Sequence, residues 1–236
     1  MTDTIKLTID GVEISAKKGQ TIIQAAEDNG IYIPRLCFMK DLTPAGACRV
    51  CTVMVNGRPQ ASCTQPAAEG MVVLNDTPEM GNWRKSVVEM LFSEGNHFCM
   101  FCEKSGNCEL QATAYRLGIA SSRHAYQFPV RGVEASHPDI YLDGNRCIRC
   151  GRCVRAAQEL DGKTVFGFLG RGKDTRLSWN ADTLSATELK ALDKASSACP
   201  VGCILKKRVG FAVPVGARLY DHQPIGAEVD AKRAAK

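Results

Sequence analysis

Twelve cysteines in 236 residues constrain this chain more than any other feature, because they are grouped rather than scattered. Cys37, Cys48, Cys51 and Cys63 form a first group, and Cys99, Cys102 and Cys108 a second. Cys147, Cys150, Cys153, Cys199 and Cys203 form a third. Disulfide frameworks belong to exported chains, but Met1 to Leu7 is polar and lacks the apolar run of an export signal. No apolar stretch reaches the roughly eighteen residues of a membrane span. The expectation is therefore metal bound by thiolates, not disulfides.

The spacing narrows the metal. The first group reads C-x10-C-x2-C-x11-C. One C-x2-C pair with two outlying cysteines resembles the plant-type [2Fe-2S] arrangement, with a longer first gap. A structural zinc site, the competing reading, usually carries two such pairs. The small residues of Ala45-Gly46-Ala47-Cys48 let backbone N–H groups approach the sulfurs.

The second group reads H-x-C-x2-C-x5-C once His97 is counted. Three close cysteines supply three corners of a [4Fe-4S] cube, and His97 is expected as the fourth ligand. A neutral imidazole in place of a thiolate makes the site less negative and raises its potential, by analogy with Rieske centres.

The third group opens C-x2-C-x2-C at Cys147, Cys150 and Cys153. The bacterial ferredoxin run continues x3-C-P, but Ala157 stands at that position here. Cys199, followed by Pro200, is expected to complete one [4Fe-4S] set from a distance. Cys203 is left over, and reads as a small buried apolar residue before it reads as a vestige of a second cluster. Arg146, Arg149, Arg152 and Arg155 interleave with this group. They read either as a solvated face or as charge that offsets a negative cluster.

Charge is uneven along the chain. Residues 1–80 carry seven Lys/Arg against nine Asp/Glu, and the remainder 23 against 16. The basic remainder has no long basic run or nucleic-acid motif, so nucleic-acid binding is not expected.

Periodicity suggests a modular α+β chain. Ile5 to Ile9 alternates as a strand, Asp10-Gly11 turns it, and Val12 to Ile14 returns. Thr21 starts a helix that ends near Gly30. Val50 to Val55 and Met71 to Leu74 read as further strands. This is a small sheet gripping a helix, a β-grasp. Thr77-Pro78 opens a helix that stops at Gly95, with Trp83, Val87, Met90 and Leu91 read as its core face. Glu109 to Leu117 is the next helix. The expected division is 1–80, a [2Fe-2S] ferredoxin-type domain; 81–138, a helical [4Fe-4S] domain with one His and three Cys; and 139–205, a ferredoxin-like [4Fe-4S] domain. Residues 206–236 read as an extended docking tail.

Three clusters in one chain read as a relay. No G-x-G-x-x-G or G-x-x-x-x-G-K-[ST] motif occurs, and no nucleophile–base set stands out. No catalytic residue is expected.

The combined pattern, Cys37 to Cys63, then His97 to Cys108, then Cys147 to Cys199, resembles the N-terminal iron–sulfur region of the complex I large peripheral subunit and of iron-only hydrogenases. Glu94-Gly95-Asn96-His97, Cys102 to Cys108 and Lys207 to Phe211 with Pro214-Val215-Gly216 resemble more narrowly the small diaphorase subunit of cytoplasmic NAD-reducing nickel–iron hydrogenases. In complex I the histidine lies four residues before the first cysteine; here it lies two before.

The resemblance implies one [2Fe-2S] on Cys37, Cys48, Cys51 and Cys63. It implies one [4Fe-4S] on His97, Cys99, Cys102 and Cys108, and another on Cys147, Cys150, Cys153 and Cys199. It further implies a partner subunit holding FMN and NAD, and a hydrogenase module of a small subunit and a nickel–iron large subunit. The other readings are the equivalent subunit of an NAD-dependent formate dehydrogenase and a free ferredoxin-like carrier.

Overall fold

The structure, a computed structural model, describes residues 4–234. Its first unit is built on β1 (Thr4–Ile9) and β2 (Val12–Lys17), an antiparallel hairpin turned at Asp10-Gly11. Both turn residues have positive φ, as a tight two-residue turn demands. Helix α1 (Ile22–Asp28) follows; the Thr21 N–H donates to Gln24 Oε1 at 2.9 Å at its start. Next come β3 (Thr52–Val55), β4 (Arg58–Ala61) and β5 (Val72–Leu74). The five strands lie in the order β2-β1-β5-β3-β4, with β1 and β5 parallel and the other pairs antiparallel.

Alternation drives this unit. Leu7, Ile9 and Ile14 from the sheet and Ile22, Ile23, Ala25 and Ala26 from α1 are buried together, so the sheet closes over one helix face. The expected β-grasp is what forms.

Helix α2 (Pro78–Ser93) starts where Thr77 Oγ1 accepts the Met80 N–H at 3.2 Å. One expectation is corrected here. Trp83 and Met90, read as core, are 39% and 44% exposed, while Met80, Arg84 and Val88 are buried. Val87 and Leu91 do pack against the core. The apolar periodicity is ambiguous because buried Arg84 and Glu89 occupy the inner face. Arg84 reaches in to donate to the carbonyls of Thr52 and Asn75, each at 2.9 Å. It thereby ties α2 to the sheet.

Helix α3 (Glu109–Arg116) completes the middle of the chain. The last unit holds β6 (Val133–Glu134), β7 (Ile140–Asp143), α4 (Arg152–Glu159), β8 (Phe166–Leu169), β9 (Arg176–Trp179), α5 (Lys194–Ser197) and β10 (Ile204–Lys206). It forms a three-stranded sheet, β10-β7-β6, and a separate hairpin of β8 and β9. One core runs through all of this: Leu36 and Val50 from the first unit, Val88 and Leu110 from the middle helices, and Ile140 to Ile204 from the last.

The end of the chain differs from an extended tail. Residues 207–219 expose Val209, Phe211, Val213, Val215 and Leu219. Beyond them the chain folds back, and Ile225 and Val229 of the last turn and of helix α6 (Ala227–Ala234) are buried with Tyr32 and Ala112. Two glycines make room. A Cβ at Gly226 would lie 2.3 Å from the Tyr32 ring, and one at Gly30 2.5 Å from the Arg233 backbone. Arg116 locks the contact, donating to the Ile225 carbonyl at 2.7 Å and pairing with Asp230 at 2.8 Å.

Candidate metal centres

All twelve cysteines are free thiols, none in a disulfide. Cys37 and Cys48 lie in the loop after α1; Cys51 precedes β3 and Cys63 follows β4. The hairpin thus returns the fourth cysteine to the first three. The Cys37 and Cys48 N–H groups donate to each other's sulfur, at 3.3 and 3.4 Å. Thiol hydrogen bonds from Cys48 and Cys63 pull the Cys37 thiol far down, and the same contacts push the Cys48 and Cys63 thiols up. Cys51 is drawn down to about 6, chiefly by its hydrogen bond with Cys63. Four thiols this close compete for one negative charge; a cation among them lets all ionise together.

In the second group Cys99 opens a short 3-10 turn, Cys102 closes it and Cys108 caps α3. Burial pushes the Cys108 thiol up to about 12. Arg146 reaches this group: its Nη1 stands 3.7 Å from Cys102 Sγ, 3.4 Å from the Gly202 carbonyl and 3.1 Å from Glu103. His97 packs edge-on against Phe92, with centroids 5.4 Å apart. Burial first, then the charges of Arg146 and Arg131, lower its imidazole to about 4. The ring is therefore neutral at pH 7, as a metal donor must be. Its Nε2 is buried without a hydrogen-bond partner among the described residues. An orphaned, neutral imidazole nitrogen fits a coordinating role better than a structural one. Arg146 is the charged neighbour that His97 and Cys102 share.

In the third group Cys147 ends a 3-10 turn, Cys150 precedes α4, Cys153 lies in its first turn and Cys199 follows α5. All four line one small cavity with Phe168, Leu177 and Val201. Cys203, the leftover of the spacing pattern, lines it too. It is 1% exposed, and the cavity it shares holds Cys147 and Cys199. A thiol hydrogen bond from Cys203 lowers Cys199 to about 6, while burial raises Cys150 to about 12.

One local pattern recurs in all three groups. The Arg149 N–H donates to Cys147 Sγ at 3.4 Å, and the N–H two residues on likewise favours the thiolate of Cys48, Cys108, Cys150 and Cys199, from Val50, Leu110, Arg152 and Val201. Such donors stabilise thiolates and tune a cluster's potential. The turns that aim them carry left-handed residues, Arg49 at φ 60° and Arg149 at φ 54°, each inside a C-x2-C loop.

The interleaved arginines are not a solvated face: Arg152 offsets charge at Cys150 and Cys199, and the set also makes long-range contacts. Arg152, 4% exposed, forms a two-pronged pair with Glu109 at 2.6 and 2.7 Å and donates to the Phe38 carbonyl at 2.7 Å. Arg155 donates to the carbonyls of Cys37 and Thr43, at 2.7 and 2.6 Å. Arg149 pairs with Glu94. These side chains fasten the last unit to the other two. The spacing could not show this, because their partners lie 43 to 118 residues away.

Among the described residues, no group of three or more His, Cys, Asp or Glu is arranged to hold a single metal ion. No helix of the described residues is long and apolar enough to cross a membrane.

Known proteins agree with this layout. Residues 2–78 match the 2Fe-2S iron-sulfur cluster binding domain, 84–123 the NADH-ubiquinone oxidoreductase-G iron-sulfur binding region, and 137–205 the ferredoxin-like domain of NADH-quinone oxidoreductase subunit 3. The mitochondrial NADH-ubiquinone oxidoreductase 78 kDa subunit of Candida albicans is 36% identical over 88% of this chain, which spans only 29% of that protein. The gamma subunit of NAD-reducing hydrogenase HoxS from Cupriavidus necator is 42% identical over 95% of this chain and 96% of its own length. A chain from the crystal structure of an NAD+-reducing [NiFe]-hydrogenase in the H2-reduced state superposes with a TM-score of 0.93 and 44% identity, covering 97% of this chain and 98% of that one. Matched over nearly the whole length of both chains, and carrying three iron–sulfur units of its own, the chain belongs to the family of the gamma subunit of NAD-reducing hydrogenases.

Proposed function

We propose that this chain relays electrons between a diaphorase subunit carrying FMN and NAD(H) and a nickel–iron hydrogenase module, within a cytoplasmic H2:NAD+ oxidoreductase. The observation that carries the reading is the full-length match to a hydrogenase gamma subunit by a chain whose three donor groups share one fold. The chain is a subunit of an oxidoreductase and supplies no substrate site of its own.

Cys37, Cys48, Cys51 and Cys63 are assigned to a [2Fe-2S]. His97, Cys99, Cys102 and Cys108 are assigned to one [4Fe-4S], and Cys147, Cys150, Cys153 and Cys199 to another. Bound clusters supply one-electron carriers at fixed positions. The protein's part is to hold them still and close. Backbone N–H groups aimed at the sulfurs set the charge each site tolerates. Arg152 and Arg155 clamp the three units, which keeps the carriers at constant separation. Burial of most ligand thiols excludes water and fixes a low reorganisation environment around them.

The functional units of the relay are assigned to 1–80, 81–138 and 139–205, with 206–236 as the docking part. Within that last part, the exposed apolar residues of 207–219 are assigned to a partner subunit, and α6 to this chain's own surface. Phe211→Asp combined with Val215→Asp should weaken assembly and leave every cluster in place; assembly at unchanged strength would remove that role.

The decisive test is purification with partners attached, followed by H2-dependent NAD+ reduction and metal analysis. The expected result is turnover, with about ten irons and matching acid-labile sulfide on this chain. Zinc without sulfide, or a stable monomer with no partner, would end the proposal.

A further inference from the structure

We propose that Cys203 is a reserve ligand of the third centre, able to take the iron position of Cys199 when that bond opens. The proposal rests on the [4Fe-4S] assignment above and extends it. Five cysteines line the cavity, and a [4Fe-4S] cluster uses four protein ligands. The fifth is not remote. It lines the same cavity as Cys147 and Cys199. It is also held in place. The Cys203 carbonyl accepts the Asp143 N–H at 2.8 Å, and the next residue, Ile204, pairs with Leu142 in the β10–β7 ladder. At the other end of the segment the Pro200 carbonyl accepts the Glu109 N–H at 2.9 Å. The short loop from Cys199 to Cys203 is thus pinned on both sides, with both thiols facing one cavity.

The exchange balances without another reactant. The iron–Sγ bond of Cys199 breaks, and an iron–Sγ bond to Cys203 forms. The Cys203 thiol proton passes to the departing Cys199 thiolate within the cavity they share. No oxidation state changes. Burial helps: Cys203 is 1% and Cys199 9% exposed, so bulk water and external thiols do not reach the opened position easily. A residue that only fills space would serve equally well as alanine, and would do nothing when Cys199 is lost.

The test uses the full chain purified anaerobically, with iron and sulfide counts and electron paramagnetic resonance of the reduced protein. Wild type should hold about ten irons. Cys199→Ala should also hold about ten, with an altered signal from one cluster only. Cys150→Ala, just before α4 and outside the Cys199–Cys203 loop, should fall to about six. Cys203→Ala should keep about ten with the wild-type signals. The inference is overturned if Cys199→Ala falls to about six, or does not fold. It is equally overturned if Cys203→Ala loses the cluster, since Cys203 would then be a standing ligand. A wild-type chain without about ten irons would instead overturn the parent assignment.

Discussion

The first donor group and the other two are built on opposite principles. Cys37, Cys48, Cys51 and Cys63 lie within one unit, returned to each other by the β3–β4 hairpin. The second and third groups are interlocked. The Cys199–Cys203 segment lies between them, with Cys203 against Cys147 and Cys199, and Gly202 against the second group. A Cβ at Gly202 would lie 2.5 Å from Cys102 Sγ. Arg146 spans the same seam, touching Cys102 and the Gly202 carbonyl. A self-contained site tolerates changes elsewhere; an interlocked pair shares its faults, and also its short path for an electron.

Gly202→Val tests that contrast most severely. The added side chain should displace Cys102 directly and, by shifting the short segment it belongs to, Cys199 with it, removing about eight of about ten irons and sparing the [2Fe-2S]. Metal analysis and the residual visible spectrum would show it. Loss of only one cluster would mean the two cages are independent.

Arg152→Leu should rank next. It leaves the Phe38 carbonyl and the Glu109 carboxylate without their guanidinium, at a cost of about 3 kcal/mol. Chemical denaturation should show the last unit separating before the first, while an unchanged midpoint would deny the clamp.

His97→Cys should keep the irons but lower the second cluster's midpoint, on the order of 100 mV, because a thiolate adds negative charge. Redox titration checks this, and an unchanged midpoint and spectrum would remove His97 from the ligand set.

Gly226→Val should have the mildest effect on the clusters. It should lift α6 from Tyr32, cost about 2 kcal/mol of burial and leave all irons in place. Limited proteolysis should then cut within the last part of the chain. Loss of iron would show that the end of the chain supports a cage.

Much of the β-grasp unit is legible in the amino-acid sequence. Alternation in Ile5 to Ile14, the Asp10-Gly11 turn and the Thr21 helix start all act over a few residues, and all three features are present. The outer residues of α2 depart from the pattern for a definite reason. A helical stripe of Trp83, Val87, Met90 and Leu91 predicts burial only if the opposite face is polar and solvated, and here Arg84 and Glu89 are buried instead. The long reach of the interleaved arginines is hidden for the same kind of reason, since a side chain's partner across 100 residues leaves no local trace. No signal in the sequence singles out Glu109 as the partner of Arg152.

Ligand chemistry is a matter of sequence. Thiolates at C-x2-C spacing are brought together by a single turn, whatever surrounds them, and this is why the candidate ligands follow from spacing and resemblance. The position of Cys203 does not. Its distance along the chain from Cys147 is large, and only the β10–β7 ladder and the packing of α5 on α4 bring it into the cavity. The same is true of Gly202 and of the returning α6. Short-range rules marked most of the candidate donors; long-range packing decided which candidate cages touch, because contact between remote segments is set by the burial of the whole core and not by any stretch of it.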